Sequence, residues 1–393
     1  MLKRIFSNHS VIKRLLFVLI IFSIATACKT KKPGSAVAIN PVPLTTYFQN
    51  SELPAAIMGY AGKDGNMEWF AYGPSVWGGK DSISENNIFR IFSMTKAIAS
   101  VGALQLVEQE LIGLDDPLNE LMPEMTTIPI LTEKGELMEA SNPITLRHLL
   151  THTSGFGYEF MDPRLQSFEK SDWSYEDMPR LFNSGENWLY GTSLDWVGKI
   201  IEKISGEDLE TYLRKNVTGP LKMNSTWFNV PENLQENIVS WGSRDSLGFQ
   251  EYPRIPTKKI TTFSAGGGLF GSPKDYLNFL VCMLNNGNYE GGQILKPETV
   301  ALMSSNHLPS NLTINSGGDT HGLAWAIENS EDEEFRSIGS GYWSGLANSN
   351  YSLDKGKNIA LVYFTNFFPY GDKETQNFYR LFEQEVYMKM SKN

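Results

Sequence analysis

Short apolar runs near both ends of the chain predict two β-hairpins. Near the start, runs at 55–60 and 67–72 are separated by the turn-forming sequence GKDGN. Near the end, runs at 348–353 and 358–365 flank the polar sequence DKGK. Runs of this length, bounded by Gly, Asp and Asn, are typical of strands joined by a tight turn. We therefore expect strands at both ends of the chain.

Between these hairpins the apolar positions recur every three or four residues, a spacing that predicts helices. One helix is expected from Met94 to about Glu110, directly after a short strand-like run at 88–92. Another is expected at about 273–284. A further helix is expected to end at Gly206, and its apolar face consists of Leu194, Val197, Ile200, Ile201 and Ile204.

Strands at both ends and helices in the middle predict an α+β fold. In such a fold, one antiparallel sheet is built from both termini and flanked by helices. We place this α/β domain at 45–138 and 255–393. A mainly helical domain at 139–254 is expected to be inserted between its two parts.

The first 27 residues predict an export signal. They contain four cations and no acid, and their apolar run at 15–25 is shorter than the ~20 residues of a membrane span. The sequence then resembles a bacterial lipoprotein signal, in which Cys28 is lipidated, although Ala25 stands where Leu is usual. Ordinary cleavage after Ala27 is the alternative. Residues 28–44 are expected to form a tether. The signal and the lipidated cysteine together imply a location in the bacterial cell envelope, at the periplasm or outer membrane.

Composition and charge exclude several classes of protein. The 393 residues are 41% apolar, as in globular proteins, and the formal charge is −10. The four cations of the signal contribute to that value, so the rest of the chain carries −14. Such an acidic body is a poor ligand for nucleic acid. With only Cys28 and Cys282, neither a disulfide framework nor a cysteine zinc site is expected, and we predict no metal or organic cofactor.

Ser93 and Lys96 form an S-x-x-K pattern at the predicted start of the first helix. Residues i and i+3 share a helix face, so the lysine can reach the serine hydroxyl. The free N–H groups at a helix start also favour an oxyanion beside that serine. The alternative is that Ser93 only caps the helix. The same spacing occurs by chance elsewhere, at Ser10, Ser167 and Ser352.

Three further blocks resemble the serine β-lactamase-related superfamily, which includes class C β-lactamases, DD-peptidases and carboxylesterases. These blocks are 144–155 (ITLRHLLTHTSG), 219–223 (GPLKM) and 265–287 (AGGGLFGSPKDYLNFLVCMLNNG). The resemblance implies a β-lactamase/transpeptidase-like fold and a covalent acyl-enzyme on Ser93, with Lys96 as its base. His148 and His152 belong to the first block and are expected to be structural rather than metal ligands.

The resemblance also identifies a second motif, Tyr190-Gly191-Thr192, just before the helix that ends at Gly206. It implies that Tyr190 shares proton transfer with Lys96. Thr192 is placed at the substrate but departs from the usual Asn, which puts recognition of an amide side chain in doubt.

The third motif is usually K-T-G or H-x-G, and its best match here is Trp343-Ser344-Gly345, a W-x-G form found in some esterases of this fold. These three residues are expected to bind substrate. The N–H groups of Leu346 and Ser93 would then form the oxyanion hole. Gly339-Ser340-Gly341 is the competing alignment.

The third motif has Trp343 where K-T-G has a lysine, and this difference favours neutral esters as substrates. An indole packs apolar groups but cannot pair with a carboxylate. An arginine elsewhere, such as Arg336, could supply the positive charge that this lysine would have carried. We therefore predict an exported serine hydrolase acting on a small-molecule ester, amide or peptide, with carboxylesterase first. The alternatives are a D-amino-acid peptidase or DD-peptidase, a β-lactamase, and a non-catalytic cell-envelope protein that only binds its ligand.

Overall fold

The computed structural model describes residues 39–169, 178–254, 257–315, 318–330 and 335–391. The predicted signal, Cys28 and most of the tether lie outside these residues. Among the described residues the strands are β1 Ala56–Gly62, β2 Met67–Tyr72, β3 Phe89–Arg90, β4 Ile130–Leu131, β5 Leu137–Met138, β6 Trp241–Asp245, β7 Gly248–Tyr252, β8 Phe270–Gly271, β9 Asn288–Tyr289, β10 Gly292–Gln293, β11 Thr320–His321, β12 Ala326–Ile327, β13 Gly341–Ser344, β14 Asn350–Asp354, β15 Ile359–Phe364 and β16 Phe367–Phe368.

The α-helices of the same residues are α1 Val42–Asn50, α2 Thr95–Glu108, α3 Pro123–Thr126, α4 Leu146–Leu150, α5 Pro163–Ser167, α6 Ser193–Ser205, α7 Leu209–Leu213, α8 Pro273–Leu284, α9 Pro297–Met303 and α10 Lys373–Ser391. Shorter helical turns lie at Phe92–Met94, Arg214–Thr218 and Glu232–Asn237.

The main sheet joins the two ends of the chain, as the sequence predicts. Its order is β11-β12-β13-β14-β15-β1-β2 within the described residues, and every neighbouring pair is antiparallel. Ile57 of β1 lies opposite Phe364 of β15, so the N-terminal hairpin pairs directly with the C-terminal hairpin. The predicted α+β, β-lactamase-like fold is confirmed.

Both faces of this sheet are covered, because alternate residues of a strand point to opposite sides. On one face, Met58 and Leu361 lie in a cluster with Phe378 and Phe382 of α10. On the other face, residues such as Val362 join the larger cluster that contains α2 and α8. The helices therefore enclose β1 and β15 between two apolar layers.

The predicted helices begin and end close to their expected residues. α6 ends at Gly206, whose φ of 70° is the left-handed conformation that glycine adopts without a steric penalty. α8 starts after Ser272, whose hydroxyl accepts a hydrogen bond from the N–H of Asp275. α2 is buried along most of its length, so its start is held at a fixed position under the sheet.

Two predicted boundaries need correction. The tether was expected to extend to residue 44, but Ile39 and Leu44 are buried and α1 begins at Val42, because these apolar side chains pack in the cluster beside α10. The range predicted as mainly helical ends in the β6–β7 hairpin. That hairpin pairs with β16 from the C-terminal part of the chain. None of the helices in the described part of the chain is long and apolar enough to span a membrane.

Candidate active site

Ser93 lies in a helical turn between β3 and α2, where the chain changes from strand to helix. The residue before it, Phe92, has φ of 46°, which is rare for a side chain of this size. A conformation of this kind costs roughly 1–3 kcal/mol and persists only where its surroundings enforce it. The Phe92 ring packs edge-on against Phe368 at 5.8 Å between centroids. This strain is consistent with a functional role for the turn that carries Ser93.

Lys96 is 2% exposed and its ammonium nitrogen lies among three oxygen atoms. Nζ is 2.6 Å from the carbonyl oxygen of Gly266, 2.9 Å from the Tyr158 hydroxyl and 3.4 Å from Ser93 Oγ. The S-x-x-K pair therefore meets within hydrogen-bonding distance, which is the geometry required of a nucleophile and its base. The distance of 3.4 Å between Nζ and Ser93 Oγ is long for a hydrogen bond, as is common in active sites without a bound substrate.

Tyr190 lies beside this pair, but its ring rather than its hydroxyl faces the lysine. Lys96 Nζ is 4.7 Å from the centroid of the Tyr190 ring. The hydroxyl of Tyr190 accepts a hydrogen bond from Trp343 Nε1 at 3.4 Å. The structure thus brings the predicted first, second and third motifs together, and the catalytic role of Tyr190 stays a prediction.

Trp343 and Ser344 end β13, and Gly345 follows in a tight approach to the turn before Ser93. A Cβ atom at Gly345 would lie only 2.6 Å from the carbonyl oxygen of Ile91. Glycine is therefore required for this close approach. The next residue, Leu346, lines the same cavity as Ser93, and the oxyanion hole formed by their N–H groups stays a prediction.

The competing third motif lies elsewhere. Gly341 packs against the indole of Trp325, where an added Cβ would be 2.6 Å from Nε1. Ser340 is buried, and neither residue belongs to the lining of the cavity at Ser93. Because Trp343, Ser344 and Gly345 do line that cavity, the geometry favours them over Gly339-Ser340-Gly341.

The cavity at Ser93 has a volume of about 700 Å³ and a largely aromatic wall. Its size is in the range of small-molecule sites. Within the described residues its lining contains no lysine or arginine. The lining consists of Phe92, Ser93, Tyr158, Phe160, Met161, Trp188, Tyr190, Asp195, Ser264, Gly266, Gly267, Ile314, Trp343, Ser344, Gly345, Leu346 and Tyr370.

Thr192 was expected to bind substrate, but the structure places it in the interior. It is 1% exposed and is not part of the cavity lining. The preceding residue packs closely against the backbone, since an added Cβ at Gly191 would clash with the carbonyl oxygen of Phe156, and Thr192 follows it into the interior. Arg336, the possible replacement for the missing lysine, is ion-paired with Glu328 and Glu383 and does not line the cavity either.

Two buried histidines support the wall of the cavity from behind. The His152 ring packs edge-on against Tyr190 at 4.8 Å and against His321 at 5.5 Å. Burial holds the pKa of His152 well below its usual value and lowers the pKa of His321 to about 4. Both imidazoles are therefore neutral near pH 7, as their packing between aromatic rings requires.

Tyr158, Asp195 and His321 are the residues of the site that the sequence did not reveal. Tyr158 lies three residues after the end of the first family block, but no motif marks it. The carboxylate of Asp195 accepts hydrogen bonds from Ser264 Oγ at 2.6 Å and from the Gly266 N–H at 3.0 Å. The only local signal was its position five residues after Tyr190, on the first turn of α6.

Comparison with known proteins assigns the fold and the chemistry to one family. The family model described as Beta-lactamase matches residues 59–385, so the chain belongs to the β-lactamase family. The relatives of this chain include acyltransferases and esterases. The chain is therefore an enzyme of the serine-hydrolase type.

Three individual proteins illustrate this similarity. Monacolin J acid methylbutanoyltransferase of Aspergillus terreus is 29% identical over 344 residues, which cover 76% of this chain and 81% of that protein. Lovastatin esterase of Penicillium rubens is 31% identical over 245 residues, covering 57% and 60%. The unliganded structure of simvastatin synthase from Aspergillus terreus superposes with a TM-score of 0.79 at 27% identity, covering 91% of this chain and 100% of that one.

Proposed function

We propose that the protein is a serine esterase that forms an acyl-enzyme on Ser93. Its substrates are small esters whose acyl and alcohol parts are both apolar and uncharged. The observation that carries this proposal is the cavity beside Ser93, which is large, aromatic and without a lysine or arginine in its described lining. Aromatic walls contribute apolar contact area, whereas a substrate carboxylate would be buried there without a cation.

The reaction proceeds in two stages on the same serine. Lys96 takes the proton of Ser93 as Oγ attacks the ester carbonyl, and the N–H groups of Ser93 and Leu346 stabilise the oxyanion. The leaving alcohol receives the proton, and the acyl group remains on Ser93. Water then attacks the acyl-enzyme, Lys96 and Tyr190 move a proton from the water to Ser93 Oγ, and the free acid leaves.

The alternatives that require a substrate carboxylate are less well supported. β-Lactams and D-Ala-D-Ala peptides both carry that group next to the scissile amide. Arg336 is the cation that sequence suggested for it, but this side chain is already paired with Glu328 and Glu383. Burying an unpaired carboxylate costs several kcal/mol, so such substrates should bind weakly.

The test is hydrolysis by the purified full-length protein, with p-nitrophenyl butyrate, a chromogenic cephalosporin and a D-Ala-D-Ala peptide as substrates. We expect turnover of the butyrate ester, and a loss of at least roughly a thousandfold in Ser93→Ala. Ser352→Ala is the matched control, since Ser352 and Lys355 have the same spacing but lie in β14 and the turn after it. Preference for the cephalosporin or the peptide would contradict the proposal, as would full activity in Ser93→Ala.

Acyl transfer to an alcohol is a second candidate, favoured by the name of one relative, a methylbutanoyltransferase. The cavity volume of about 700 Å³ leaves room for an apolar alcohol beside an acylated Ser93. Adding 1-hexanol to the butyrate assay separates the two outcomes. Hexyl butyrate as the main product indicates a transferase, and butyric acid as the main product indicates an esterase.

We propose in addition that the protein is exported and anchored to the cell envelope through a lipid on Cys28. The support is the sequence of residues 1–28, with its basic start, short apolar run and terminal cysteine. Expression in a bacterium with radiolabelled palmitate tests it. We expect the label in the membrane fraction for the natural chain and its loss in Cys28→Ser; label retained in that variant would contradict the anchor.

A further inference from the structure

The three oxygen atoms around Lys96 Nζ suit the side chain both as a neutral amine and as a protonated ammonium. The Gly266 carbonyl can only accept a hydrogen bond, and the Tyr158 hydroxyl accepts a second one. In a neutral amine these two contacts use both N–H groups. The lone pair is then left in the remaining direction, toward Ser93 Oγ at 3.4 Å.

We propose that Tyr158 is a positioning residue that aims the lone pair of Lys96 at Ser93. The inference rests on the proposed function, because it assigns a role within the same acylation step. When Ser93 Oγ bonds to the substrate carbonyl, its O–H bond breaks and the proton bonds to Nζ. The resulting ammonium has three N–H groups for the same three oxygen atoms. The proton therefore moves without any rearrangement around Nζ, as a preorganised site requires.

Tyr190 does not have this contact with the lysine. Its ring face lies over Nζ, and its hydroxyl is hydrogen-bonded to Trp343 Nε1. The two tyrosines thus contact Lys96 in different ways, through an oxygen atom in Tyr158 and through a ring in Tyr190.

The position of Tyr158 is fixed independently of its hydroxyl. The residue is 7% exposed, and its ring stacks on Phe160 at 5.0 Å and packs edge-on against Tyr190 at 5.3 Å. Phenylalanine preserves these ring contacts. The substitution Tyr158→Phe therefore removes one acceptor from Nζ and leaves the wall of the cavity in place.

The experiment measures two rates in the full-length protein: turnover of p-nitrophenyl butyrate, and covalent labelling of Ser93 by a fluorophosphonate. Both need Lys96 to take the serine proton, but labelling needs no ester turnover. In Tyr158→Phe we expect kcat and the labelling rate to fall roughly 10- to 100-fold with KM within about twofold, the pattern of a lost transition-state interaction. Tyr289→Phe, a hydroxyl in a different cavity, is the control and should retain wild-type rates.

A second variant separates positioning from general damage to the fold. If Tyr158 acts through Lys96, adding Tyr158→Phe to Lys96→Ala should not slow labelling further, because interacting residues are not additive. Labelling within threefold of wild type in Tyr158→Phe, a change in KM alone, or a further loss in the double variant would each overturn the inference. If the wild-type protein is not labelled at all, the proposed function fails and the role of Tyr158 fails with it. Labelling that depends on Ser93 but not on Tyr158 overturns only the role of Tyr158.

Discussion

Single residues with unusual backbone demands set the geometry around Ser93. Phe92 adopts a left-handed φ of 46° immediately before Ser93. Gly345 approaches the carbonyl oxygen of Ile91 so closely that only a hydrogen fits on its Cα. Together they bring the end of β13 against the turn before α2. The predicted oxyanion hole therefore depends on a contact between two segments that are about 250 residues apart in the sequence.

Replacing Gly345 by alanine tests that contact. The new Cβ would force Leu346 and its N–H away from Ser93, and loss of one oxyanion donor typically costs 10²–10³ in rate. Since the chain can shift by part of this distance, we expect kcat/KM for p-nitrophenyl butyrate to fall roughly 10- to 100-fold. The control is Gly62→Ala, where the nearest atom to the added Cβ is 3.4 Å away. Equal rates in the two variants would argue against an oxyanion hole at Leu346.

At the scale of elements, α6 connects the second motif to the loop that holds Lys96. Asp195 on its first turn binds Ser264 Oγ and the Gly266 N–H. The carbonyl oxygen of the same Gly266 accepts the hydrogen bond from Lys96 Nζ. The Gly266 residue is therefore held at both its N–H and its carbonyl group, by the Asp195 carboxylate and by Lys96.

Removing the Asp195 carboxylate should loosen this loop and misplace the carbonyl group. We expect kcat in Asp195→Ala to fall at least roughly tenfold, since misplacement by about 1 Å in a preorganised site can cost 10²-fold. Ser264→Ala removes one hydrogen bond to the same carboxylate but leaves the Gly266 contact, so its loss should be smaller. The comparison of kcat for the two variants checks the prediction. A larger loss in Ser264→Ala would show that the loop is held in another way.

The elements that sequence could predict are those whose signals are local. α8 begins at a proline that follows a serine cap, α6 ends at a glycine, and the two main hairpins have turn residues between apolar runs. The β6–β7 hairpin was missed because it is only partly buried and pairs with β16 over a long sequence distance. In the site, S-x-x-K and W-x-G were marked by spacing and family resemblance. Tyr158 and His321 are placed by tertiary packing alone, so no local pattern indicates them.

At the scale of the whole molecule, the described histidines share one property. Burial is the main cause that lowers the pKa of His148, His152, His307 and His321. One buried carboxyl has the opposite behaviour, since burial raises the pKa of Asp275 to about 6. Because these groups titrate differently in the folded and unfolded chains, the stability of the protein depends on pH in a predictable direction.

Between pH 6 and 4.5 the unfolded chain should bind more protons than the folded one. Each unfolded histidine is protonated below about pH 6.5, whereas burial lowers the pKa of folded His321 to about 4 and holds the pKa of folded His152 well below its usual value. Folded Asp275 is protonated below pH 6 but is ionised in the unfolded chain until about pH 4, which offsets one of these two protons. The two buried histidines and Asp275 leave a net difference of about one proton, and the lowered pKa values of His148 and His307 add to it, so the free energy of unfolding should fall by at least about 1.4 kcal/mol per pH unit as the pH falls.

Urea unfolding at half-unit steps from pH 7 to 4.5 measures this slope. His321→Gln removes one of the two buried imidazoles, so its slope should be smaller than that of the natural protein by about 1.4 kcal/mol per pH unit over the same range. If the natural protein keeps its free energy of unfolding down to pH 4.5, or gains stability there, the buried histidines are not neutral in the folded state. The aromatic wall behind Tyr190 would then contain a charged imidazolium next to Lys96. That arrangement would disfavour the neutral-ester cavity on which the proposed function depends.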